Sequence, residues 1–179
     1  MALKIIEHGS SDYQKMIGLR DNVLRKPLGL IFTPGELEEE KENILIGAFE
    51  EDDILGCCML VEENPRVIRL RQMAVTNTVQ GKGVGSAIMN FAENIARDRG
   101  YKVLAMHARK NAIGFYEKMG YKISGEEFTE VTIPHYLMEK ISDPYPFFTF
   151  SRIRLRSAYT SSESLHPFLG TSRKERLSK

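Results

Sequence analysis

Gln80-Gly81-Lys82-Gly83-Val84-Gly85-Ser86 is the stretch that decides the fold. It places three glycines within five positions, after an apolar segment at residues 67–75 and before the most regular helical pattern of the chain. Glycines permit left-handed backbone conformations, so consecutive N–H groups can converge on one anion. The helix dipole contributes only about 0.3–2 kcal/mol, whereas each charge-assisted N–H bond contributes roughly 1.5–3 kcal/mol. The stretch therefore predicts a strand–turn–helix unit that binds an anionic group through backbone amides.

Two other phosphate-binding motifs do not fit this turn. A P-loop requires Ser or Thr directly after its Gly-Lys pair, whereas Gly83 follows Lys82. A dinucleotide fingerprint requires a third glycine where Ser86 stands, and an acidic residue after the next strand, where the chain has His107-Ala108-Arg109. A Gly-rich turn with a purely structural role remains the alternative.

Downstream of the turn, the apolar residues follow a helical period. They form one stripe, Val84, Ala87, Ile88, Phe91, Ala92, Ile95 and Ala96. Gly100 predicts the end of this helix. A strand at residues 103–106 and a short helix at residues 111–119, with Asn111 as its N-cap, follow. Residues 121–124 and 135–140 predict two closing strands.

Upstream of the turn, short apolar segments predict a strand at residues 3–7 and three more at residues 44–49, 54–61 and 67–75. Acidic turns separate the last three, which predicts an antiparallel meander. Because a helix separates the strand at 67–75 from the strand at 103–106, that pair is expected to be parallel. The fold class is therefore α/β, with a mixed, mostly antiparallel sheet flanked by helices on both faces.

Two further helical segments precede the meander. Ser11 and Gln14 form a capping-box pattern that predicts a helix start, and Pro27 predicts where this helix has ended. Residues 36–42 form an acidic run after the Pro34-Gly35 turn. The simplest interpretation of that run is the solvated face of a short helix.

The composition changes near residue 142, which divides the chain into a domain at residues 1–141 and an extension at residues 142–179. The extension has eight serines, and its seven Lys and Arg residues outnumber its three Asp and Glu residues. Residues 147–155 can supply one additional strand, and the remainder is expected to be disordered.

The bulk properties exclude several classes of protein. A net charge of +1 argues against a strongly basic nucleic-acid-binding protein, and no apolar run is long enough to cross a membrane. The first residues lack a signal-peptide pattern. The two cysteines, Cys57 and Cys58, are adjacent in an apolar segment, which favours reduced core thiols, a cytoplasmic protein and no metal site. The oligomeric state is open, and a homodimer is compatible with the sequence.

Two segments together resemble a known family. Gln80-x-x-Gly83-x-Gly85, behind Gln72-Met73-Ala74-Val75 and ahead of a long helix, is similar to the acetyl-CoA motif of the GNAT N-acetyltransferases. The run from Asn111 to Tyr121, with Phe115-Tyr116 at its centre, resembles the second signature of that superfamily. The resemblance covers roughly residues 3–140 and leaves the C-terminal extension unexplained.

The resemblance implies a sheet that splays open beside the strand at residues 67–75, with the pantetheine arm of acetyl-CoA in the gap. The implied contacts with this cosubstrate come from Met73, Ala74, Val75, Gln80, Gly81, Lys82, Gly83, Val84, Gly85, Ser86, Asn111 and Phe115. It also implies that Tyr116 is the general acid, because a phenol with a pKa near ~10 stays protonated at neutral pH. Tyr116 as a simple core aromatic is the alternative.

The general base is less defined, since the strand at residues 67–75 carries arginines where many relatives have a glutamate. His107 and His135 are the remaining candidates, either as the base or as groups that orient the substrate. Arg69 and Arg71 lie on one face of their strand and can orient a carboxylate-bearing acceptor, with solvated strand residues as the alternative. Without an obvious base, an amine of low pKa or a relay through water gains weight.

These features predict an acyltransferase that moves an acetyl group from acetyl-CoA to a primary amine of a small molecule, by direct attack in a ternary complex. The alternative from another class is a non-catalytic module that binds acyl-CoA and acts as a sensor or regulator. The sequence does not identify the acceptor amine.

Overall fold

A computed structural model of the chain describes residues 1–142. Its α-helices are Ser11–Arg20 (α1), Pro34–Glu38 (α2), Val84–Asp98 (α3) and Ile113–Lys118 (α4). Its strands are Ala2–Ile6 (β1), Ile44–Glu50 (β2), Asp53–Asn64 (β3), Val67–Val75 (β4), Val103–Arg109 (β5), Lys122–Ile123 (β6), Phe128–Glu130 (β7) and Ile133–Ile141 (β8). The additional strand expected at residues 147–155, like most of the extension, lies outside the described residues.

The strands form one sheet in the order β1-β2-β3-β4-β5-β8-β6, and β7 pairs with β8. The β4–β5 pair is parallel, whereas all the other pairs are antiparallel. The predicted meander and the predicted parallel pair are both confirmed, as is the fold class. β7 was not predicted, because its three residues have a single apolar member and show no alternation.

Helix α3 covers one face of the sheet. Val84, Ile88, Ala92 and Ala96 of the predicted stripe are buried, together with Met89, which the prediction omitted. They pack against the inward side chains of the central strands, among them Ile46, Cys58, Leu70 and Met106. Gly100 ends the helix with a φ of +88°, as predicted. This packing fixes the N-terminus of α3 directly beside the C-terminal end of β4.

Helix α1 covers the opposite face. Tyr13 and Met16 pack there against Leu45, Cys57 and Met59. The Arg20 guanidinium is fully buried and binds both carboxylate oxygens of Glu40, at 2.8 and 2.9 Å. The interpretation of residues 36–42 as a solvated helix face is therefore wrong at Glu40, because this carboxylate is the partner of a buried cation.

Three helix starts differ from the sequence prediction. The N-cap of α1 is Ser10, whose Oγ accepts a bond from the Tyr13 amide, so Ser11 is the first helical residue. The N-cap of α4 is Ala112, because residues 110–112 form a 3-10 turn, and Asn111 caps nothing. Thr33 caps α2 through a complete capping box with Glu36, so this helix begins at Pro34 and not after the Pro34-Gly35 turn.

Candidate active site

The Gly-rich turn adopts the backbone that its glycines permit. Gly81 and Gly83 have φ values of +77° and +84°, and a Cβ atom at either position would meet no atom within 4 Å. The glycines are thus required by backbone conformation, which costs other residues about 1–2 kcal/mol, and the surface above them is open. The Gln80 side chain donates to the Val75 carbonyl (3.2 Å) and to Asn77 Oδ1 (3.0 Å), so it braces the turn from within.

The amides at the start of α3 are directed away from the helix body. The first helical hydrogen bond of α3 runs from the Ala87 N–H to the Gly83 carbonyl, at 3.0 Å. The preceding amides of Val84, Gly85 and Ser86 therefore have no acceptor inside the helix. The Lys82 amide differs, because it donates to the Val79 carbonyl at 3.2 Å. An anion at this turn would meet the helix amides rather than the amide of Lys82.

Strands β4 and β5 separate halfway along their length. Their parallel pairing ends at Leu70 and Met106, although β5 continues to Arg109 in pairing with β8. β4 has a bulge at the same place. Met59 is opposite Arg71 whereas Cys57 is opposite Ala74, so β4 carries one extra residue. The splayed gap that the family resemblance implied is present beside residues 71–75.

Gln72 occupies the bulge in a strained conformation. Its φ is +51°, a left-handed value that residues other than glycine rarely adopt. Its Oε1 atom is buried and has no hydrogen-bond partner among residues 1–142. Strained backbone and unsatisfied polar atoms concentrate at functional sites, and Gln72 lines the cavity described next.

A cavity of about 850 Å³ occupies the gap and extends over the α1 face of the sheet. Its lining includes most of the residues singled out by sequence, namely Arg69, Arg71, Met73, Ala74, Val75, Gln80, Gly81, Gly83, Gly85, Ser86, His107, Phe115, Tyr116 and His135. Lys82, Val84 and Asn111 are outside the lining; Lys82 and Asn111 are exposed and Val84 is buried in the core. Ala112 takes the place expected for Asn111. Apolar residues after α1, such as Leu24, Leu28 and Leu30, form the far wall.

Tyr116 is 7% exposed and its ring meets Phe115 edge-on at 5.0 Å. Burial raises the pKa of Tyr116 to about 12, although the nearby Arg109 acts in the opposite direction. The phenol therefore keeps its proton at any physiological pH. Its arrangement suits a group that donates a proton into the cavity and does not suit one that acts as a base.

Both ring nitrogens of His107 are engaged in hydrogen bonds. Arg69 Nη1 lies 2.6 Å from His107 Nε2, and Glu130 Oε2 lies 2.8 Å from His107 Nδ1. Because a guanidinium can only donate, Nε2 must accept and Nδ1 carries the proton. Arg69 also binds Glu63 at 2.5 Å. His107 is thus the centre of a Glu63–Arg69–His107–Glu130 chain, and no lone pair of its ring remains free.

His135 has a different environment. Its Nδ1 lies 2.8 Å from the Ile133 carbonyl, which can only accept, so Nδ1 carries the proton and Nε2 has the lone pair. Nε2 has no hydrogen-bond partner within residues 1–142, while the residue is 8% exposed and lines the cavity. Phe128 stacks on the ring at 6.0 Å. His135 therefore has a ring nitrogen with a free lone pair, in a residue that lines the cavity.

Arg109 and Glu130 were not singled out by sequence reasoning, although both line the cavity. Arg109 follows His107 by two positions on the same strand, so alternation along β5 could have found it. Glu130 belongs to β7, which has no recognisable strand pattern, and no local signal pointed to it.

Within residues 1–142, no group of three or more potential ligands is arranged to hold a metal ion. No helix in this range is both long and apolar enough to span a membrane.

Residues 13–121 match the family model described as Acetyltransferase (GNAT) family. The chain belongs to this family. YyaT of Bacillus subtilis is 31% identical over 104 residues, which cover 58% of this chain and 68% of YyaT. YjcF of the same organism, named as an N-acetyltransferase, is 32% identical over 106 residues, which cover 59% of this chain and 74% of YjcF. The chain is accordingly an acyltransferase, and acetyl-CoA is its cosubstrate.

A solved aminoglycoside 6'-N-acetyltransferase complexed with coenzyme A superposes with a TM-score of 0.70. The match covers 82% of this chain and all of that one, at 17% identity. Such a likeness establishes the shared GNAT fold alone. The acceptor of the present chain has to be inferred from the residues of its own cavity.

Proposed function

We propose that the chain transfers the acetyl group of acetyl-CoA to a primary amine of a small molecule, by direct attack within a ternary complex. The observation that carries this proposal is that one cavity is lined by the Gly-rich turn, the Tyr116 phenol and the His135 imidazole. Its volume of about 850 Å³ is typical of small-molecule sites, which measure roughly 300–1,000 Å³.

The residues of the turn fit the pyrophosphate of the cosubstrate. The amides of Gly83, Val84, Gly85 and Ser86 would hold it, and the open space above Gly81 and Gly83 admits it without a clash. The edge of β4 at Met73, Ala74 and Val75 has no strand partner on the β5 side. The Val75 carbonyl accepts from the Gln80 side chain, and the backbone groups of this edge that have no partner would bind the pantetheine amides. Phe115 would form one wall, whereas Asn111 and the Lys82 amide have no direct part in this arrangement.

The thioester supplies an activated acetyl group, and two side chains of the cavity handle the protons. The amine nitrogen forms a bond to the acetyl carbon, and the carbon–sulfur bond breaks. His135 Nε2 takes the proton that the amine loses, and the Tyr116 hydroxyl donates a proton to the departing sulfur. Proton exchange with solvent restores both side chains after release. The step is thus balanced without a redox partner or a covalent acyl-enzyme.

His135 is a better candidate for the base than His107 because a base needs a free lone pair within reach of the substrate. The lone pair of His107 already accepts from Arg69 at 2.6 Å. In this proposal His107 positions Arg69 and Glu130, whereas His135 acts on the amine. A base matters because deprotonating a lysine-type amine of pKa near 10.4 costs about 4–5 kcal/mol at pH 7.

Thiol release from acetyl-CoA, measured across a panel of primary amines, tests the proposal. We expect turnover with at least one amine, and an initial-velocity pattern of intersecting lines. Mass spectrometry of the enzyme after incubation with acetyl-CoA alone should show no added acetyl group. Tight binding of acetyl-CoA without turnover on any amine would favour the non-catalytic acyl-CoA sensor instead.

The buried thiols support a place in the cytoplasm. Cys57 and Cys58 are both free and fully buried in β3. Burial raises the pKa of the Cys57 thiol to about 12, so it is not a reactive thiolate at neutral pH. Free core thiols are typical of proteins that remain in a reducing compartment.

A further inference from the structure

The cavity has an unequal set of charges. Its lining includes four arginines, Arg25, Arg69, Arg71 and Arg109, against two glutamates, Glu36 and Glu130. Glu36 forms an ion pair with Arg25 at 3.0 Å. Glu130 accepts a hydrogen bond from His107 Nδ1 at 2.8 Å. Arg25 matches the charge of Glu36, whereas His107 is neutral and leaves the charge of Glu130 in place. The arginines of the lining still outnumber its glutamates.

Two of the arginines have no such partner. Arg69 is held by Glu63 and His107. Arg71 and Arg109, in contrast, make no ion pair and no side-chain hydrogen bond within residues 1–142, while both line the cavity. Arg109 is half-buried, whereas Arg71 is exposed. Guanidinium groups that line a cavity and lack a carboxylate partner can bind a planar anion with two parallel N–H bonds.

The strand pairing places Arg109 beside the proposed base. Arg109 and His135 are direct partners across β5 and β8, and opposite residues of an antiparallel pair have Cβ atoms roughly 4.5–5.5 Å apart. Arg109 is also near enough to Tyr116 to act on its pKa. Arg71 is on the same sheet face, at the edge of the bulge. A single acceptor molecule could therefore place a carboxylate on Arg109 and an amine at His135 if only a few covalent bonds separate the two groups.

We propose that the acceptor is a compact amino-carboxylate whose carboxylate binds Arg71 and Arg109 while its amine faces His135. This inference rests on the proposed amine acetylation and deepens it by naming the substrate class. A polycationic amine is disfavoured in the same cavity, because the lining has four arginines against two glutamates and the unpaired Arg71 and Arg109 would repel it.

The experiment compares each acceptor with its own carboxamide, which removes the negative charge and keeps the shape. α-, β- and ω-amino acids and dipeptides are assayed beside their amides and beside spermidine, with rates corrected for the fraction of neutral amine. We expect kcat/KM for the preferred carboxylate to exceed that of its amide by about tenfold to a hundredfold, the range for losing hydrogen bonds to a charged group. Spermidine should be a poor acceptor.

Arg71→Gln and Arg109→Gln should each lower the carboxylate-to-amide ratio toward one, chiefly through KM. Arg66→Gln is the matched control, because Arg66 is exposed and outside the cavity lining. Its ratio should equal that of the parent. Calorimetry with acetyl-CoA should give the parental Kd for all three variants.

Three results would overturn the inference. Equal kcat/KM for acids and amides, or a preference for spermidine, would show that the arginines do not select the acceptor. A loss of acetyl-CoA affinity in Arg71→Gln or Arg109→Gln would assign these residues to the phosphates of the cosubstrate. Absence of turnover with every amine, at normal acetyl-CoA affinity, would overturn the proposed function itself and is thereby distinguishable from the other two.

Discussion

The Tyr13–Arg20–Glu40 cluster and the Arg69–His107–Glu130 cluster lie on the same face of the sheet, but they differ in burial. In the first, Arg20 and Glu40 are 0% and 3% exposed, and the Tyr13 hydroxyl also donates to Glu40 at 2.7 Å. In the second, the side chains of His107 and Glu130 are 31% and 41% exposed. The first cluster fastens α1 to the segment after α2, and the second lines the cavity.

The difference shows how to separate structural charges from functional ones. A buried charge must be matched by partners or it destabilises the fold. Around Arg20, only the Nε atom lacks a hydrogen-bond partner in the described part of the chain. Around the cavity, whole groups are left available, namely Arg71, Arg109 and His135 Nε2. We infer that groups which the fold itself does not use are the ones available to the substrate.

Tyr116→Phe should have the largest effect on catalysis. The variant keeps the ring that packs on Phe115 but loses the hydroxyl, so kcat should fall by about 10²–10⁴-fold. The Kd for acetyl-CoA should stay near parental, because this interaction is made chiefly in the transition state. Steady-state kinetics at saturating acetyl-CoA, with calorimetry for the Kd, provides the measurement.

The pH dependence of the parent sharpens this prediction. The pKa of Tyr116 is raised to about 12, so the acid remains protonated as the pH rises. We expect no loss of kcat from phenol deprotonation below about pH 11. A Tyr116→Phe enzyme with near-parental kcat, at a pH where chemistry limits turnover, would reduce Tyr116 to a core aromatic.

Glu40→Gln tests the structural side of the comparison. The substitution leaves the fully buried Arg20 without its counter-charge, which costs about 3–5 kcal/mol of unfolding free energy. For a chain of this size that corresponds to a fall in Tm of roughly 6–20 °C. Glu130→Gln is the matched substitution in the cavity cluster, and its exposed pair should cost less than about 1 kcal/mol. Thermal unfolding of both variants measures these two losses of stability. An equal fall in Tm for both variants would remove the distinction between the clusters.

His135→Gln and His107→Gln test the assignment of the base. His135→Gln should lower kcat/KM by about 10²-fold near neutral pH, and the rate should recover as the pH rises because the amine then loses its proton unaided. His107→Gln should lower it by less than about tenfold and leave the shape of the pH profile unchanged, because His107 acts through its neighbours. The opposite order would make His107 the base.

Gly83→Val tests the cosubstrate site, and Gly100→Val is its control. Both glycines have φ values above +80° and open space at the Cβ position, so each valine should cost a similar 1–2 kcal/mol, approximately. Only Gly83→Val places a branched side chain above the α3 amides. We expect the Kd for acetyl-CoA to rise at least about tenfold in this variant alone, measured by calorimetry with circular dichroism as the folding check. Retained affinity in folded Gly83→Val protein would contradict the assignment.

Local pattern was enough to predict most of the fold. Short stretches of neighbouring residues determine the apolar stripe of α3, the meander β2–β4 and the glycine at the end of α3. β7 and the buried Glu40 could not be predicted in this way, because both depend on distant partners. β7 exists through its pairing with β8, and Glu40 is buried by an arginine 20 positions earlier.

In the candidate site, too, some features are set by neighbouring residues and others by distant partners. The Gly-rich turn and Tyr116 belong to contiguous motifs, so the sequence alone indicates both. The choice between His107 and His135 required the fold, because Arg69 and Glu130 reach His107 from 38 and 23 positions away. The bulge at Gln72 was also hidden, since it arises from a register shift between β3 and β4. Hydrogen bonds between distant residues therefore determine which of several plausible side chains is free to react.

A chain truncated after Ile141 should show the smallest effect of all. Ile141 already completes β8 opposite Val103, and the truncation removes the hydrogen bond that the Ser142 N–H donates to the Lys102 carbonyl at 2.8 Å. One such bond contributes about 0.5–1.5 kcal/mol, so Tm should fall by only a few degrees. We propose on this basis that residues 1–141 form the acetyltransferase domain and that the Kd for acetyl-CoA changes less than about threefold.

The charge of the extension offers a sharper version of the same test. Removing seven basic and three acidic residues leaves a domain with 18 Lys and Arg against 21 Asp and Glu. At low salt, the truncated domain should attract the anionic cosubstrate less strongly than the full chain does. At 0.15 M ionic strength this difference should disappear, because such charges are screened beyond about 8 Å. A loss of affinity that disappears at 0.15 M salt is therefore electrostatic and keeps the site within residues 1–141. A loss that persists at that salt concentration, or an insoluble truncated chain, would place part of the site or of the core in residues 142–179.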